Sequence, residues 1–203
     1  MMRPQNDNAD HTAQTKLEQV ADAARRLFAR YGYKRTSMDD IAREAGVAKA
    51  TLYLHFKGKE DVFRTVLLHT RDLMLQRCDA ALDGDMPFRA RLEAMLNAYY
   101  GTWLELFGDA EHWGELHLVK TQIALEDATE TEAIYVARFC DFLEAADASG
   151  EISLARVEAT PDRLCQTLRQ AAMGAKSGTP PTLEEYRQRL GAIAALAAAA
   201  LKA

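Results

Sequence analysis

Residues 36–60 read TSMDDIAREAGVAKATLYLHFKGKE, and the spacing of small and apolar residues within them decides the fold. Ala42 is small enough for a following helix to cross it closely. Gly46, four residues later, can take the positive φ that turns the chain, and Leu52, six further on, faces back toward a core. This is the spacing of a helix-turn-helix. Ser37 offers a capping oxygen, Asp39 and Asp40 place carboxylates in a first turn where the helix dipole favours them, and Ile41, Ala42 and Ala45 form the apolar face. A second short helix is expected from Ala48 to Phe56, with Gly58 breaking it. In such a unit the second helix projects into the major groove, about 12 Å wide, while neighbouring groups grip phosphates.

Upstream, Leu17, Val20, Ala21, Ala24, Leu27, Phe28 and Tyr31 recur at helical spacing, with Thr15 and Glu18 set as a capping box and Gly32 as the stop. Downstream, Val62, Phe63, Val66, Leu67, Thr70, Leu73, Met74, Arg77 and Cys78 hold the same period for about six turns, predicting a long helix that leaves the first module. Further helices are expected at roughly 88–107, 111–126, 131–148, 161–176 and 183–202, separated by Gly-, Pro- and Ser-containing breaks. No stretch alternates with period two over the length of a strand. The expected fold is all-α. Residues 1–15 read as a flexible N-terminal segment, 16–60 as the helix-turn-helix domain, and 61–203 as a second helical domain reached through the long helix.

Charge divides the chain in the same place. The whole carries -5, but residues 16–59 hold ten Lys or Arg against five Asp or Glu, while residues 60–203 are net acidic. Only the first module is therefore expected to face a polyanion. The longest apolar run, Ala192 to Leu201, is about half of what spans a bilayer, and residues 1–15 have no signal-peptide core, so no membrane partner and a cytoplasmic location are expected. Cys78, Cys140 and Cys165 lie too far apart in sequence for a CxxC motif and read as packed thiols. His112 and His117, five residues apart, do not stack on one helix face, so no metal is expected. No nucleophile elbow and no glycine-rich phosphate loop is present, so no catalytic residue, no cofactor and no enzyme are expected.

The run from Thr36 to Glu60, and the near-continuous stretch from Leu17 to Phe63 around it, resembles the DNA-binding signature of TetR-type transcriptional regulators. Residues 178–186 (GTPPTLEEY) also resemble a stretch of efflux-type repressors in that family. The resemblance implies double-stranded operator DNA as partner, and the chemistry of single residues can be set against it. Lys49, Ala50, Thr51, Tyr53 and Leu54 can face outward from the second helix; Tyr53 and His55 are long enough to reach phosphate oxygens, and Thr51 reaches phosphate or a base edge. Thr36, Ser37 and Lys59 place hydroxyls and a cation where an anion binds well, although Ser37 serves equally as a pure helix cap. Two positions depart from the family's habit: Ala48 stands where Ser often caps the recognition helix, and Ala50 where Gly or Pro is common. Leu54 either touches a thymine methyl or covers Phe56.

For the second domain the resemblance implies a small-molecule effector pocket. Met95, Tyr99, Trp103, Phe107, Trp113, His117 and Phe139 are the candidates to line it, and an ordinary core accounts for the same aromatic stripe. Small residues on the last two helices permit close approach of a second subunit, with Leu168, Ala172, Ala175, Ala192, Ala195 and Leu196 expected at a homodimer interface. The expectation is a homodimeric repressor of a near-palindromic operator, released by a small apolar or aromatic ligand. The alternative is a helical ligand-binding or enzymatic bundle whose helix-turn-helix is not used for DNA.

Overall fold

The computed structural model describes residues 7–82, 85–108, 112–179 and 181–202, with the side chains of residues 7–15 and of Trp113 left aside. The order is α1 (Asp7–Tyr31), α2 (Met38–Glu44), α3 (Lys49–His55), α4 (Lys59–Leu82), α5 (Phe88–Leu96), a π-turn (Asn97–Gly101), α6 (Thr102–Phe107), α7 (Trp113–Ile123), α8 (Leu125–Ala148), a 3₁₀ turn (Leu154–Val157), α9 (Pro161–Gly174) and α10 (Leu183–Leu201). Among the described residues there is no strand, only one isolated bridge between Ile152 and Lys202. The fold is all-α. Among the described residues no helix is long and apolar enough to cross a membrane.

Two expectations about element ends are corrected. α1 begins at Asp7, so residues 7–15, expected to precede the helix, extend it, and Thr15 lies inside it instead of at its cap. α8 begins at Leu125, six residues before the expected start, because Ala124 alone interrupts α7 and α8 and no Gly or Pro marks the break.

Packing groups the chain into two compact units, one of residues up to Thr70 together with the segment 109–125, the other of residues 71–108 and 126–203. In the first, Val20, Ala24 and Phe28 of α1, Ile41 and Ala42 of α2, Leu52 of α3 and Val62, Phe63 and Val66 of α4 are all buried. The rings of Phe28, Tyr33 and Phe63 sit 5.3 to 5.4 Å apart, two of the three pairs edge to face, which ties the end of α1 to the start of α4. The segment 109–125 falls in this unit, although the sequence placed it with the acidic helices.

The second unit is built on α5 and α10. Leu92, Met95, Leu96, Tyr135, Phe139, Leu143, Tyr186, Leu190 and Ala194 belong to one core cluster. Its helices start as local chemistry dictates: Thr160 caps α9 ahead of Pro161, and Thr182 forms a capping box with Glu185 ahead of α10. The π-turn makes Phe88–Phe107 a continuous helical run with one widened loop, so the expected single helix is present but not uniform.

Candidate nucleic-acid interface

The helix-turn-helix is assembled by short-range signals. Ser37 caps α2: its hydroxyl accepts the Asp40 N–H at 3.2 Å while its own N–H donates to Asp40 Oδ2 at 3.1 Å. The Ser37 hydroxyl also donates to that carboxylate at 2.5 Å, and these bonds hold the Asp40 carboxyl below its ordinary range. Ser37 is thus a cap, and its oxygen is already engaged. Gly46 takes φ +66°, the left-handed conformation the turn needs, and Val47 N–H reaches back to Ala42 O at 3.0 Å. Ala42 itself is buried at the crossing.

α3 then divides into two faces. Leu52 and, just past its end, Phe56 point inward, at 1% and 4% exposure. Lys49, Ala50, Tyr53, Leu54 and His55 are exposed. Thr51 is half-buried and lines a shallow crease with Leu17 and Val20 of α1, which turns it away from the most exposed part of the helix. Leu54 does not cover Phe56, since it stands 82% exposed. No side chain caps α3, as Ala48 implies. The Lys49 ammonium meets Asp39 of α2 at 2.7 Å, and that carboxylate pushes the lysine pKa upward. An exposed pair of this kind contributes little to stability.

Two expected phosphate contacts are corrected. Thr36 is buried and its hydroxyl donates to Gly32 O at 2.8 Å, so it closes the turn after α1 instead of facing solvent. Lys59, at the first residue of α4, directs its ammonium inward: it donates to Tyr33 O at 2.7 Å, Thr36 O at 2.9 Å and Lys34 O at 3.4 Å, and lies 4.4 Å from the Tyr33 ring centre. Burial lowers its pKa, with Glu115 opposing. Lys59 therefore staples the α1–α2 turn, the cation taking the place of missing helix-end partners.

The turn is held from another side as well. Glu115 on α7 accepts the Lys34 N–H at 2.8 Å, and it packs so closely on Gly32, at φ +81°, that a Cβ there would overlap the carboxylate. Sequence reading missed this link, whose partners stand 81 residues apart. It also passed over Lys34, Arg35 and Lys57, whose side chains are exposed in the loops flanking α2 and α3. The charge excess of residues 16–59 was the signal for such groups, although it does not say which lysine turns inward.

The residues expected to line an effector pocket are divided between the units. Met95, Phe107 and Phe139 are fully buried in the second unit; Tyr99, half-buried, stacks on Tyr135 at 4.2 Å between ring centres, and Trp103 packs on Phe107 at 4.4 Å. Trp113 and His117 belong to α7 in the first unit, where His117 is exposed. Of the residues expected at a dimer interface, Leu168 and Ala172 are consumed by the subunit's own core, at 5% and 0% exposure, and are corrected accordingly. Ala175 and Ala195 are half-buried, whereas Ala192 and Leu196 are exposed one turn apart on α10, Leu196 at 74%.

Residues 20–66 match the family described as bacterial regulatory proteins, tetR family. A relative in Bacillus subtilis, the uncharacterized HTH-type transcriptional regulator YhgD, is 35% identical over 79 residues, which cover 39% of this chain and 41% of that protein. The chain spans less than half the length of the first curated relatives it matches. Solved structures extend the likeness in fold to nearly the whole chain. A transcriptional regulator from Cytophaga hutchinsonii has a TM-score of 0.74 at 17% identity, covering 93% of this chain and 99% of its own. The SmeT–triclosan complex has a TM-score of 0.63 at 19% identity, covering 90% of this chain and 91% of its own.

Proposed function

Through residues 20–66 the chain belongs to the tetR family of bacterial regulatory proteins, and we propose that it is a cytoplasmic, homodimeric repressor whose two α3 helices read successive major grooves of a near-palindromic operator. The observation that carries this reading is the two-sided α3: Leu52 is locked into the core while Lys49, Ala50, Tyr53, Leu54 and His55 stand outward on a capped helix-turn-helix. Tyr53 and His55 supply phosphate donors, and Lys49 exchanges Asp39 for a phosphate. Lys34, Arg35 and Lys57 add sequence-independent attraction.

One α3 covers only a few base pairs, so specificity requires two, with half-sites about 34 to 36 Å apart. The second subunit is proposed to pack on the exposed side of α9 and α10, through Ala192, Leu196 and the flanking Ala175 and Ala195. A small apolar or aromatic ligand is proposed to insert among Met95, Tyr99, Trp103, Phe107 and Phe139 and to lower operator affinity. The triclosan bound by SmeT is a ligand of that kind. Because these side chains are largely buried, entry must part the Tyr99 and Trp103 stacks, and a ligand that favours neither state shifts nothing.

A mobility-shift titration with the DNA flanking its own gene, run at two salt concentrations, tests the reading. A dimer-stoichiometry complex whose affinity falls steeply with salt supports it. Absence of any sequence preference over a scrambled duplex overturns it.

A further inference from the structure

We infer that Leu54 is a base-reading residue that takes the C5-methyl group of a thymine in each operator half-site. This rests on the DNA-binding reading above and assigns a specificity contact within it. Leu54 is the most exposed large apolar side chain among the described residues, at 82%. It is not part of the packing of α3, because Leu52 and Phe56 already fill the inward side.

Its neighbours define what surrounds it. Ala50, one turn earlier on the same side of the helix, is also exposed, and Tyr53 beside it is 48% exposed. Leu54 and Ala50 thus form an apolar strip, bordered by Lys49, Tyr53 and His55. A leucine has no donor or acceptor, so it can hold neither a phosphate oxygen nor a polar base edge. Within a major groove the apolar group that a side chain meets is the thymine methyl. A polar border that grips phosphates and an apolar strip between them is the arrangement that positions a helix and lets one side chain discriminate thymine from cytosine.

Replacing thymine by deoxyuridine removes the methyl group and leaves the hydrogen-bonding pattern unchanged. The experiment uses the full chain and a duplex selected by it from a random library, with each thymine replaced in turn by deoxyuridine. For the wild-type protein, one symmetry-related pair of replacements is expected to weaken binding about fourfold per half-site, or about fifteenfold for both, the amount expected for withdrawing one methyl from an apolar contact. In Leu54→Ala that penalty disappears while the other replacements behave as before, and in Leu54→Met most of it returns. The exposure of Leu54 means that both variants should melt within about 2 °C of wild type, since surface changes are usually within about ±0.5 kcal/mol.

A wild-type protein indifferent to every deoxyuridine replacement overturns the assignment, as does a penalty undiminished in Leu54→Ala. Both results leave the DNA-binding reading standing. A chain that selects no duplex at all removes that reading and this one together, and would leave the exposed leucine to a protein contact.

Discussion

Replacing Lys59 by methionine separates a structural staple from a phosphate contact. The ammonium satisfies Tyr33 O at 2.7 Å and Thr36 O at 2.9 Å, with a longer contact to Lys34 O, and lies over the Tyr33 ring. Two good hydrogen bonds to a charged donor contribute roughly 1.5 to 3 kcal/mol each, and the ring contact about 0.5 to 1 kcal/mol. Half-burial of the ammonium works against this, as its lowered pKa shows. Desolvation of the ammonium offsets part of that sum, and water reaches part of the turn once the ammonium is gone, so the net loss is placed at about 2 kcal/mol, below the summed range of roughly 3.5 to 7 kcal/mol. For a chain of 203 residues that corresponds to a fall in Tm of about 4 to 8 °C. Lys57→Ala, two residues away and exposed, should leave Tm unchanged and instead lower the slope of log K against log salt by about one. Thermal melts followed by circular dichroism, paired with salt titrations of operator binding, read both quantities. If Lys59→Met melted like wild type and lost a unit of salt slope, the ammonium would be on a phosphate and the staple would be refuted.

Restoring a cap to the recognition helix with Ala48→Ser should raise stability by about 0.5 to 1 kcal/mol, seen as a Tm increase of a few degrees, because Ala48 makes no side-chain cap bond. Leu196→Glu, at an exposed site, should leave the subunit folded but give a monomer by sedimentation and reduce operator affinity at least tenfold; a dimer that binds normally would exclude this face of α10. Asp40, Glu105 and Glu185 are all held below their ordinary values of 3.8 for Asp and 4.5 for Glu, the first and last chiefly by hydrogen bonds from their capping partners and Glu105 by Arg77 and Arg187. A depressed carboxylate contributes stability above its ordinary value and loses it as pH falls toward the folded one. Tm should therefore hold from about pH 7 to 5 and decline below about pH 4.5, less steeply in Glu105→Gln.

Local chemistry made much of the first unit legible. Ser37 with Asp40, Gly46 and the Ala42–Leu52 spacing are signals within a few residues of one another, and they found α2, the turn and α3. Contacts that join distant segments left no such trace: Lys59 reaches back 26 residues to Tyr33, and Glu115 reaches 81 to Lys34. A lysine before a long helix looks alike whether it points to solvent or into a turn, so its role was assigned outward. The π-turn at Asn97–Gly101 was hidden because the apolar period runs through it almost unbroken. Leu168 and Ala172 show a further ambiguity, since side chains that suit a close helix crossing between subunits suit the core of one subunit equally well. Exposure of Leu54 was undecided in sequence for the same reason, because an apolar residue next to Phe56 fits either side of a two-turn helix.

The central claim is that the outward side of α3 reads DNA. The measurement that tests it most directly is the ratio of dissociation constants for the selected duplex and a scrambled duplex of equal length, at about 150 mM salt, for wild type and for Tyr53→Ala. The account predicts a wild-type preference of about a thousandfold or more, with affinity for both duplexes reduced in parallel by the tyrosine change. A wild-type ratio near one at that salt concentration would contradict it.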